Sequence, residues 1–404
     1  MAEYRVIPEG TVTSPKGFLA AGIYAGLKVF GEEKRDLGLL FSEELCDAAA
    51  LFTSNEIKGA HVVLGQQRIQ GKKLQAVVVN SGSANTCVGE QGLVDATEMT
   101  ELAAKKLGVL AGHVIAASTG VIGVELPMAL IRQGVEKMEL SKEGGHELAR
   151  AIMTTDTHPK ELAIALEIEG KEVTIGGIAK GSGMIHPNMA TLLCFLTTDA
   201  SIEADFLHEA LKEAVDASLN MVTVDSDTSP NDTVVIMANG RAGNERLKKG
   251  ALGADIFQEA LAELCIHLAE EIARDGEGAS KLIKVGVEGA ESLADARAAA
   301  LTVAGSALVK TAVYGNDPNW GRIIAALGRS GARVDESQIT LYINEFCAMD
   351  KGLPVSFYKE AAVQAMNRPE IYIRVLLHLG DASATAWSCD LSQEYVTINS
   401  AYTT

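Results

Sequence analysis

Residues 180–200, KGSGMIHPNMATLLCFLTTDA, decide how this chain is interpreted. The glycine-rich first half predicts a loop, and the apolar run from Leu192 onward predicts a buried strand. Thr191 stands where the loop meets the strand. A β-branched residue is favourable at the start of a strand. Thr191 is therefore either a structural residue or a reactive hydroxyl placed at the end of a flexible segment.

Composition excludes several classes of protein. The 404 residues are 47% hydrophobic and 22% charged, which is typical of a globular protein of two domains or one large layered unit. A net charge of -18 argues against nucleic-acid binding. The six cysteines form no CxxC pair and the eight histidines show no metal-binding spacing, so no metal is predicted. Because neither a leader peptide nor a membrane span is visible, we expect a cytoplasmic protein.

Strand and helix patterns alternate along the chain without a linker. Buried strands are predicted at residues 76–80 and 114–119, a hairpin at 162–178, and a half-buried strand at 371–379. Helices are predicted at 93–108 and 257–272, and a last strand is expected at 394–399. Hairpin turns and separate helical runs favour an α+β layered fold with mixed or antiparallel sheets over a doubly wound parallel sheet.

The hydroxyl of Thr191 needs a base before it can act as a nucleophile. Cleavage of the bond between Ala190 and Thr191 would free an α-amine beside that hydroxyl, and such an amine titrates near pH ~8. It could then transfer protons in both directions near neutral pH. For an isolated Ala-Thr pair, the structural interpretation remains the more frequent one.

A second group of residues, ASTGVIG at 117–123, ends a predicted strand with Thr119 and Gly120. A hydroxyl and backbone N–H groups at such a strand end are the donors that an oxyanion hole requires. The alternative is an ordinary glycine turn. No G-x-S-x-G elbow and no phosphate-binding loop order occur in the chain, which argues against a serine triad and against a nucleotide site.

Seven segments together resemble the glutamate N-acetyltransferase (ornithine acetyltransferase) family of arginine biosynthesis. They occur in the family's order and span nearly the whole chain. They are NSGSANTC (80–87), ASTGVIG (117–123), MTTDTHPK (153–160), KGSGMIHPNMATLLCFLTTDA (180–200), RDGEGASK (274–281), YGNDPNWGRI (314–323) and YVTINSAYTT (395–404).

The resemblance implies a precursor that cleaves itself between Ala190 and Thr191. The products would be an α chain of residues 1–190 and a β chain of residues 191–404, with two copies of each in the assembly. It also implies an α+β fold of layered sheets and helices, similar to the N-terminal-nucleophile hydrolases but with the family's own topology.

The chemistry implied by the resemblance is acetyl transfer from N-acetylornithine to glutamate. Thr191 would carry the acetyl group in a ping-pong reaction, and Thr119 and Gly120 would stabilise the oxyanion. The resemblance implies no cofactor and leaves open whether acetyl-CoA is a second donor.

The resemblance also implies the substrate contacts. They are Thr157, Lys180, Thr191, Glu277, Asn399 and Thr404, with Thr155 as the alternative to Thr157. Taken alone, several of these positions are also consistent with a surface lysine, a surface acid or a turn former. Two rival functions are an autoprocessing aminopeptidase or amidase that uses water as acceptor, and a small-molecule-binding protein without catalysis.

Overall fold

Fifteen strands and eleven α-helices form the part of the chain that the computed structural model describes, residues 4–28, 34–186, 192–356 and 358–401. The strands are β1 (Tyr4–Val6), β2 (Phe18–Ile23), β3 (Leu37–Phe52), β4 (Lys73–Ser83), β5 (Val114–Val121), β6 (Lys160–Ile168), β7 (Lys171–Lys180), β8 (Leu193–Thr198), β9 (Thr233–Ala238), β10 (Leu282–Ala290), β11 (Thr340–Ile343), β12 (Phe346–Asp350), β13 (Leu353–Pro354), β14 (Glu370–Leu376) and β15 (Ala382–Cys389). The helices are α1 (Ala60–Arg68), α2 (Gln91–Leu107), α3 (Met128–Lys137), α4 (Gly144–Ala151), α5 (Ala204–Ala217), α6 (Ala254–Arg274), α7 (Leu293–Ala304), α8 (Ala307–Tyr314), α9 (Trp320–Gly328), α10 (Lys359–Met366) and α11 (Gln393–Ala401).

The larger sheet has nine strands in the order β1-β6-β7-β8-β9-β3-β4-β5, with β2 paired to β3. The pairs β8–β9 and β4–β5 are parallel, and the other pairs are antiparallel. The long strand β3 pairs with β2 through its first residues and with β9 through its last ones. The register of β3 against β4 shifts between Phe41 and Cys46. Strand β3 therefore connects β9 with β2 and β4 in one sheet.

The smaller sheet has six strands in the order β13-β12-β11-β14-β10-β15. Only its β10–β14 pair is parallel. Buried and exposed residues alternate along β14, as the sequence pattern predicts for a strand with one buried face. Both sheets are therefore mixed, which confirms the predicted α+β fold.

Three apolar cores hold the layers together. One core contains Phe18 from β2 and Phe195 from β8, and so packs distant strands of the larger sheet against each other. A second packs Met99 of α2 and Ile131 of α3 against β3, β4 and β5. In the third and largest core, α6 buries Phe257 and other residues at helical spacing. Because α6 contacts both sheets, it connects the larger sheet with the smaller one.

The C-terminal segment 394–399 is helical, so the prediction of a strand there was wrong. It lies in α11, where the Asn399 side chain donates to the Tyr395 carbonyl at 3.0 Å and the Thr397 hydroxyl donates to the Gln393 carbonyl at 3.3 Å. Alternating residues suggested a strand, but a spacing of four also places Tyr395 and Asn399 on one helical face. Tertiary contacts on that face decide the conformation.

In the described part of the chain, no single helix is long and apolar enough to cross a membrane. Only α7 and α8 taken together, which meet at an angle of 52°, reach the required length and composition.

Glycines allow α4 to approach β2 closely. A Cβ on Gly144 would lie 1.8 Å from the Ala20 carbonyl oxygen, and one on Gly22 would lie 2.0 Å from the Glu147 carbonyl oxygen. The last residue of α4 accepts a hydrogen bond of 2.6 Å from the Ser81 hydroxyl of β4. This close packing fixes the point from which the chain continues into residues 152–157.

We expect Gly144→Ala to lower the free energy of unfolding by about 2–3 kcal/mol, because the new methyl group must push α4 away from β2. Chemical denaturation monitored by circular dichroism measures the change. Gly112→Ala is the matched control, since a Cβ at Gly112 meets no atom within 4 Å. Equal stability of the two variants would contradict the role assigned to the close approach.

Candidate functional site

Five of the sequence-predicted site residues line one small cavity. Its volume is about 130 Å³, and it opens where β5 and β7 end and where the chain leaves α6. This is well below the size of a pocket for a drug-sized ligand. The five residues are Thr119, Gly120, Lys180, Glu277 and Asn399.

The backbones of β4 and β5 meet closely at Gly120. This residue pairs with Gly82 in the parallel ladder and has φ of 133°, a conformation that favours glycine. A Cβ at Gly120 would lie 2.3 Å from the Gly82 carbonyl carbon. Only glycine therefore allows the strand to bring the backbone of residues 119–120 to the cavity.

Lys180 is a buried cation that forms no ion pair with any carboxylate in the described part of the chain. It ends β7, is 2% exposed, and its ammonium donates to the Thr119 hydroxyl oxygen at 3.4 Å. Within the described residues, no carboxylate oxygen lies within 4.0 Å of it. Burial lowers the pKa of Lys180, while the charge of Asp156 opposes that shift. An anionic ligand group in the cavity would supply the missing counter-charge.

The hydrogen bond from Lys180 also orients the Thr119 hydroxyl. Because the hydroxyl oxygen accepts from the ammonium, its own proton is free to donate in another direction. A hydroxyl donor next to a buried cation is suited to stabilise negative charge that develops on a bound carbonyl oxygen.

Glu277 and Asn399 form the opposite side of the cavity. The Glu277 N–H donates to the Ser182 carbonyl at 2.8 Å, and its carboxylate covers Gly183, where a Cβ would lie 2.4 Å from Cδ of Glu277. The Asn399 side-chain amide donates to that carboxylate at 2.7 Å. Helix α11 thus brings a residue near the chain end to a site formed mainly by the larger sheet.

The two candidate threonines of the MTTDTHPK segment have different surroundings. Thr155 lines the cavity, and its hydroxyl lies 2.6 Å from the Ser182 hydroxyl. Thr157 is not among the lining residues described; its hydroxyl and its N–H both donate to the Asp275 carboxylate, the N–H at 2.9 Å. Substrate contact by Thr157 stays a prediction, and Thr155 is placed where the alternative requires it.

Ala190, Thr191 and Thr404 lie outside the described residues. The nearest described position to the predicted nucleophile is Leu192. Its N–H donates to Oδ1 of Asp232 at 2.9 Å. Asp232 directly precedes β9, the parallel neighbour of β8.

The sequence did not single out four buried charged residues around the site, which are Asp156, Lys160, Asp232 and Asp275. Asp156 and Lys160 lie in the MTTDTHPK segment. Their opposite charges at a spacing of four residues could have predicted a local ion pair. Asp275 lies in another recognised segment, 115 residues from Lys160. No sequence pattern reveals a partner at that separation.

Asp232 is fully buried, and its second carboxylate oxygen has no hydrogen-bond partner among the described residues. The nearby Thr53 hydroxyl donates its proton to the Ser229 carbonyl at 2.6 Å instead. Burial raises the pKa of Asp232 well above its ordinary value of 3.8, against the opposing effects of the Leu192 N–H and of Lys180. An ionised carboxylate in this place is costly for folding.

We expect Asp232→Asn to raise the free energy of unfolding by about 1–3 kcal/mol at pH 8. The amide still accepts the Leu192 N–H and carries no charge. In the wild-type protein the raised pKa means that the contribution of Asp232 to stability is fully present below the ordinary value of 3.8 and is lost as pH rises through its folded-state pKa. The gain from the substitution should therefore grow between pH 4.5 and pH 8, measured by denaturant unfolding.

Asp199→Asn is the matched control. Asp199 is equally buried, and burial also raises its pKa, but its two oxygens accept backbone N–H groups of Thr174 at 2.8 Å and Lys16 at 3.1 Å. Its amide variant must point NH₂ at an N–H group and should lose stability. A loss of stability at pH 8 in Asp232→Asn would contradict the argument.

Neither a metal site nor a larger pocket coincides with these residues. The described residues contain no group of three or more His, Cys, Asp or Glu side chains that could hold a metal ion. Four larger depressions, from about 490 to about 650 Å³, open elsewhere, and no predicted site residue lines them.

The fold and the cavity define an α+β enzyme with a small polar site, in which a buried cation and a hydroxyl donor face an acidic side chain. The ArgJ family model matches residues 19–404. The arginine biosynthesis bifunctional protein ArgJ of Symbiobacterium thermophilum is 53% identical to this chain over 98% of this chain and 99% of its own length. This chain belongs to the ArgJ family, which confirms the resemblance inferred from the seven segments.

Two crystal structures give the corresponding structural comparison. The arginine biosynthesis bifunctional protein ArgJ of Bacillus halodurans is 44% identical, with a TM-score of 0.51, and the match covers 52% of this chain and 98% of that one. The ornithine acetyltransferase of Mycobacterium tuberculosis, solved with ornithine, is 38% identical, with a TM-score of 0.42, over 46% of this chain and 98% of that one.

Proposed function

We propose that this protein transfers an acetyl group from N-acetylornithine to glutamate in arginine biosynthesis. The observation that carries the proposal is the Lys180 ammonium, which has no carboxylate partner among residues 4–28, 34–186, 192–356 and 358–401 and lies beside the Thr119 hydroxyl in a cavity of amino-acid size. Membership of the ArgJ family supports the same reaction.

In the proposed first half-reaction, the Thr191 hydroxyl attacks the acetyl carbonyl carbon and its own α-amine accepts the hydroxyl proton. Negative charge develops on the carbonyl oxygen, where the Thr119 hydroxyl and the Gly120 N–H donate hydrogen bonds. The C–N bond then breaks, the proton passes to the departing nitrogen, and ornithine leaves an acetyl ester on Thr191.

In the second half-reaction the amine of glutamate attacks the ester carbonyl. The α-amine of Thr191 accepts the proton from that nitrogen and returns one to the Thr191 oxygen as the ester bond breaks. The products are N-acetylglutamate and the free enzyme. Both steps use the same donors at Thr119 and Gly120, because both pass through a tetrahedral oxyanion.

The charged groups of the cavity suit amino-acid substrates. Lys180 is the only cation and Glu277 the only acid among the described lining residues. In the proposal, Lys180 binds the substrate α-carboxylate, and Glu277 binds an ammonium group with Asn399 holding the carboxylate in place. Thr404 and either Thr155 or Thr157 complete the proposed substrate contacts.

The proposal includes self-cleavage between Ala190 and Thr191, which produces chains 1–190 and 191–404 that assemble as two copies of each in the cytoplasm. The length of the solved Bacillus halodurans chain supports it, because 98% of that chain corresponds to only 52% of this one. Residues 191–404 are 214 of 404 residues, a similar fraction.

No cofactor is needed for the proposed reaction, and acetyl-CoA enters it only as a second acetyl donor. The relatives are named bifunctional, which supports testing that donor. Hydrolysis by the same threonine, with water as acceptor, is the rival reaction. Measuring N-acetylglutamate against free acetate separates transfer from hydrolysis.

We expect Thr191→Ala to remain a single chain and to lose acetyl transfer by at least about 10³-fold, because the nucleophile and its base are both removed. Intact-protein mass spectrometry, with and without N-acetylornithine, shows the cleavage position and the acetylated residue. The wild-type protein should yield two chains, of which the one beginning at residue 191 gains one acetyl group.

Thr191→Ser is the matched variant, since it keeps a hydroxyl and an α-amine after cleavage; it should still be cleaved and should retain part of the activity. An active and uncleaved Thr191→Ala protein would falsify the mechanism. An intact wild-type chain that forms no acetyl-enzyme would instead favour a binding protein without catalysis.

A further inference from the structure

Lys160 is a fully enclosed charge near the cavity. Its side chain is 0% exposed, and its ammonium donates to Asp156 at 2.8 Å and to Asp275 at 2.6 Å. A third bond, of 3.4 Å, goes to the carbonyl of His158. An ammonium group that is shielded from solvent requires partners of this kind to compensate the cost of its desolvation. In the acetyl-transfer steps described above, Lys160 has no role.

The partners of Lys160 hold three segments that form the cavity. Asp156 follows the cavity residues Thr154 and Thr155 and also accepts the Gly181 N–H at 2.7 Å, directly after Lys180. Asp275 ends α6 two residues before Glu277. One buried ammonium group therefore links the loop with Thr155, the end of β7 and the segment with Glu277.

The charges of this cluster balance only when Lys180 is included. Asp156 and Asp275 carry two negative charges and Lys160 carries one positive charge. Lys180 lies beyond ion-pair distance of both carboxylates, but the charges of Asp156 and Lys160 are the two that act on it most strongly. Asp156 favours the charged form of Lys180, and Lys160 opposes it.

We propose that Lys160 and Asp156 are positioning residues for the transfer reaction: they hold the cavity segments together and set the charge of Lys180 for binding a substrate carboxylate. The proposal rests on the function proposed above. Lys160 and Asp156 need touch no reacting atom. Their opposite charges give them opposite influences on Lys180, although they belong to one ion pair.

Other charged groups that face Lys180 are Asp232, Glu277 and Lys28. Asp232 and Glu277 favour the ammonium form of Lys180. Lys28 and Lys180 repel each other; Lys28 donates to the Met153 carbonyl at 2.7 Å, and burial lowers its pKa to about 8. These three groups are present in both variants, so shifts of the Lys180 titration in opposite directions report on the opposite charges of Lys160 and Asp156.

The experiment compares full-length Lys160→Met and Asp156→Asn by the pH dependence of kcat/KM for N-acetylornithine. Loss of the Lys180 proton at high pH removes the carboxylate partner and lowers kcat/KM. Asp156→Asn removes a favourable charge and should move this alkaline limb to lower pH. Lys160→Met removes a repulsion and should move it to higher pH, while both variants lose thermal stability.

Two further variants make the comparison decisive. Lys180→Arg should leave only the alkaline limb caused by loss of the substrate's own ammonium proton, at higher pH than in the wild type, because a guanidinium group keeps its proton. Asp275→Asn breaks the same cluster but removes a charge that is not among the main influences on Lys180, so it should lower stability and leave the limb in place.

If Lys160→Met alone yields no folded protein, Lys160→Met/Asp275→Asn removes the ammonium together with one of its carboxylates, and its limb must also move to higher pH. Shifts of Lys160→Met and Asp156→Asn in the same direction, no shift in either, or an alkaline limb in Lys180→Arg at the same pH as in the wild type would each overturn the proposal. A wild-type protein without acetyl transfer would instead contradict the proposed function itself.

Discussion

Between two carboxylates, where water does not reach, the ammonium group of Lys160 holds together segments that are far apart in the sequence. The attraction between buried charges balances their desolvation only when the geometry is good, and loss of one partner costs about 3–5 kcal/mol. The end of β7, the end of α6 and the loop after α4 must therefore meet in one arrangement. The cavity lies beside that arrangement.

Lys180 shows the other consequence of burying charge. Its ammonium is as enclosed as that of Lys160 but has only the Thr119 hydroxyl as a hydrogen-bond partner among the described residues. Asp232 likewise keeps one carboxylate oxygen without a described partner. Charges left without counter-charges lower stability, and they are retained where a ligand or a reaction needs them. Lys180 and Asp232 both lie close to the start of β8, the strand that follows the predicted nucleophile.

Local patterns predicted most elements of the fold. The apolar runs at 76–80 and 114–119 are strands, and the residues with helical spacing at 257–272 form the buried face of α6. The strand predictions succeed because a strand buried on both faces requires a continuous apolar run, and the helix prediction succeeds because helical spacing places the apolar residues on one buried face. The strand prediction for segment 394–399 failed because its residues fit a strand and a helix about equally well. Contacts of Tyr395 and Asn399 decide in favour of the helix.

For the site, the amino-acid sequence was sufficient to assign the family and the set of polar residues, because seven segments in a fixed order occur together. It also placed Thr119, Gly120, Lys180, Glu277 and Asn399 in one functional group, and the structure brings these five to one cavity. The pairing of the charges became visible in the folded chain. Lys160 pairs with Asp275 across 115 residues, and Lys180 meets no carboxylate of the residues that the structure describes, since pairing depends on distances between elements that no local pattern contains.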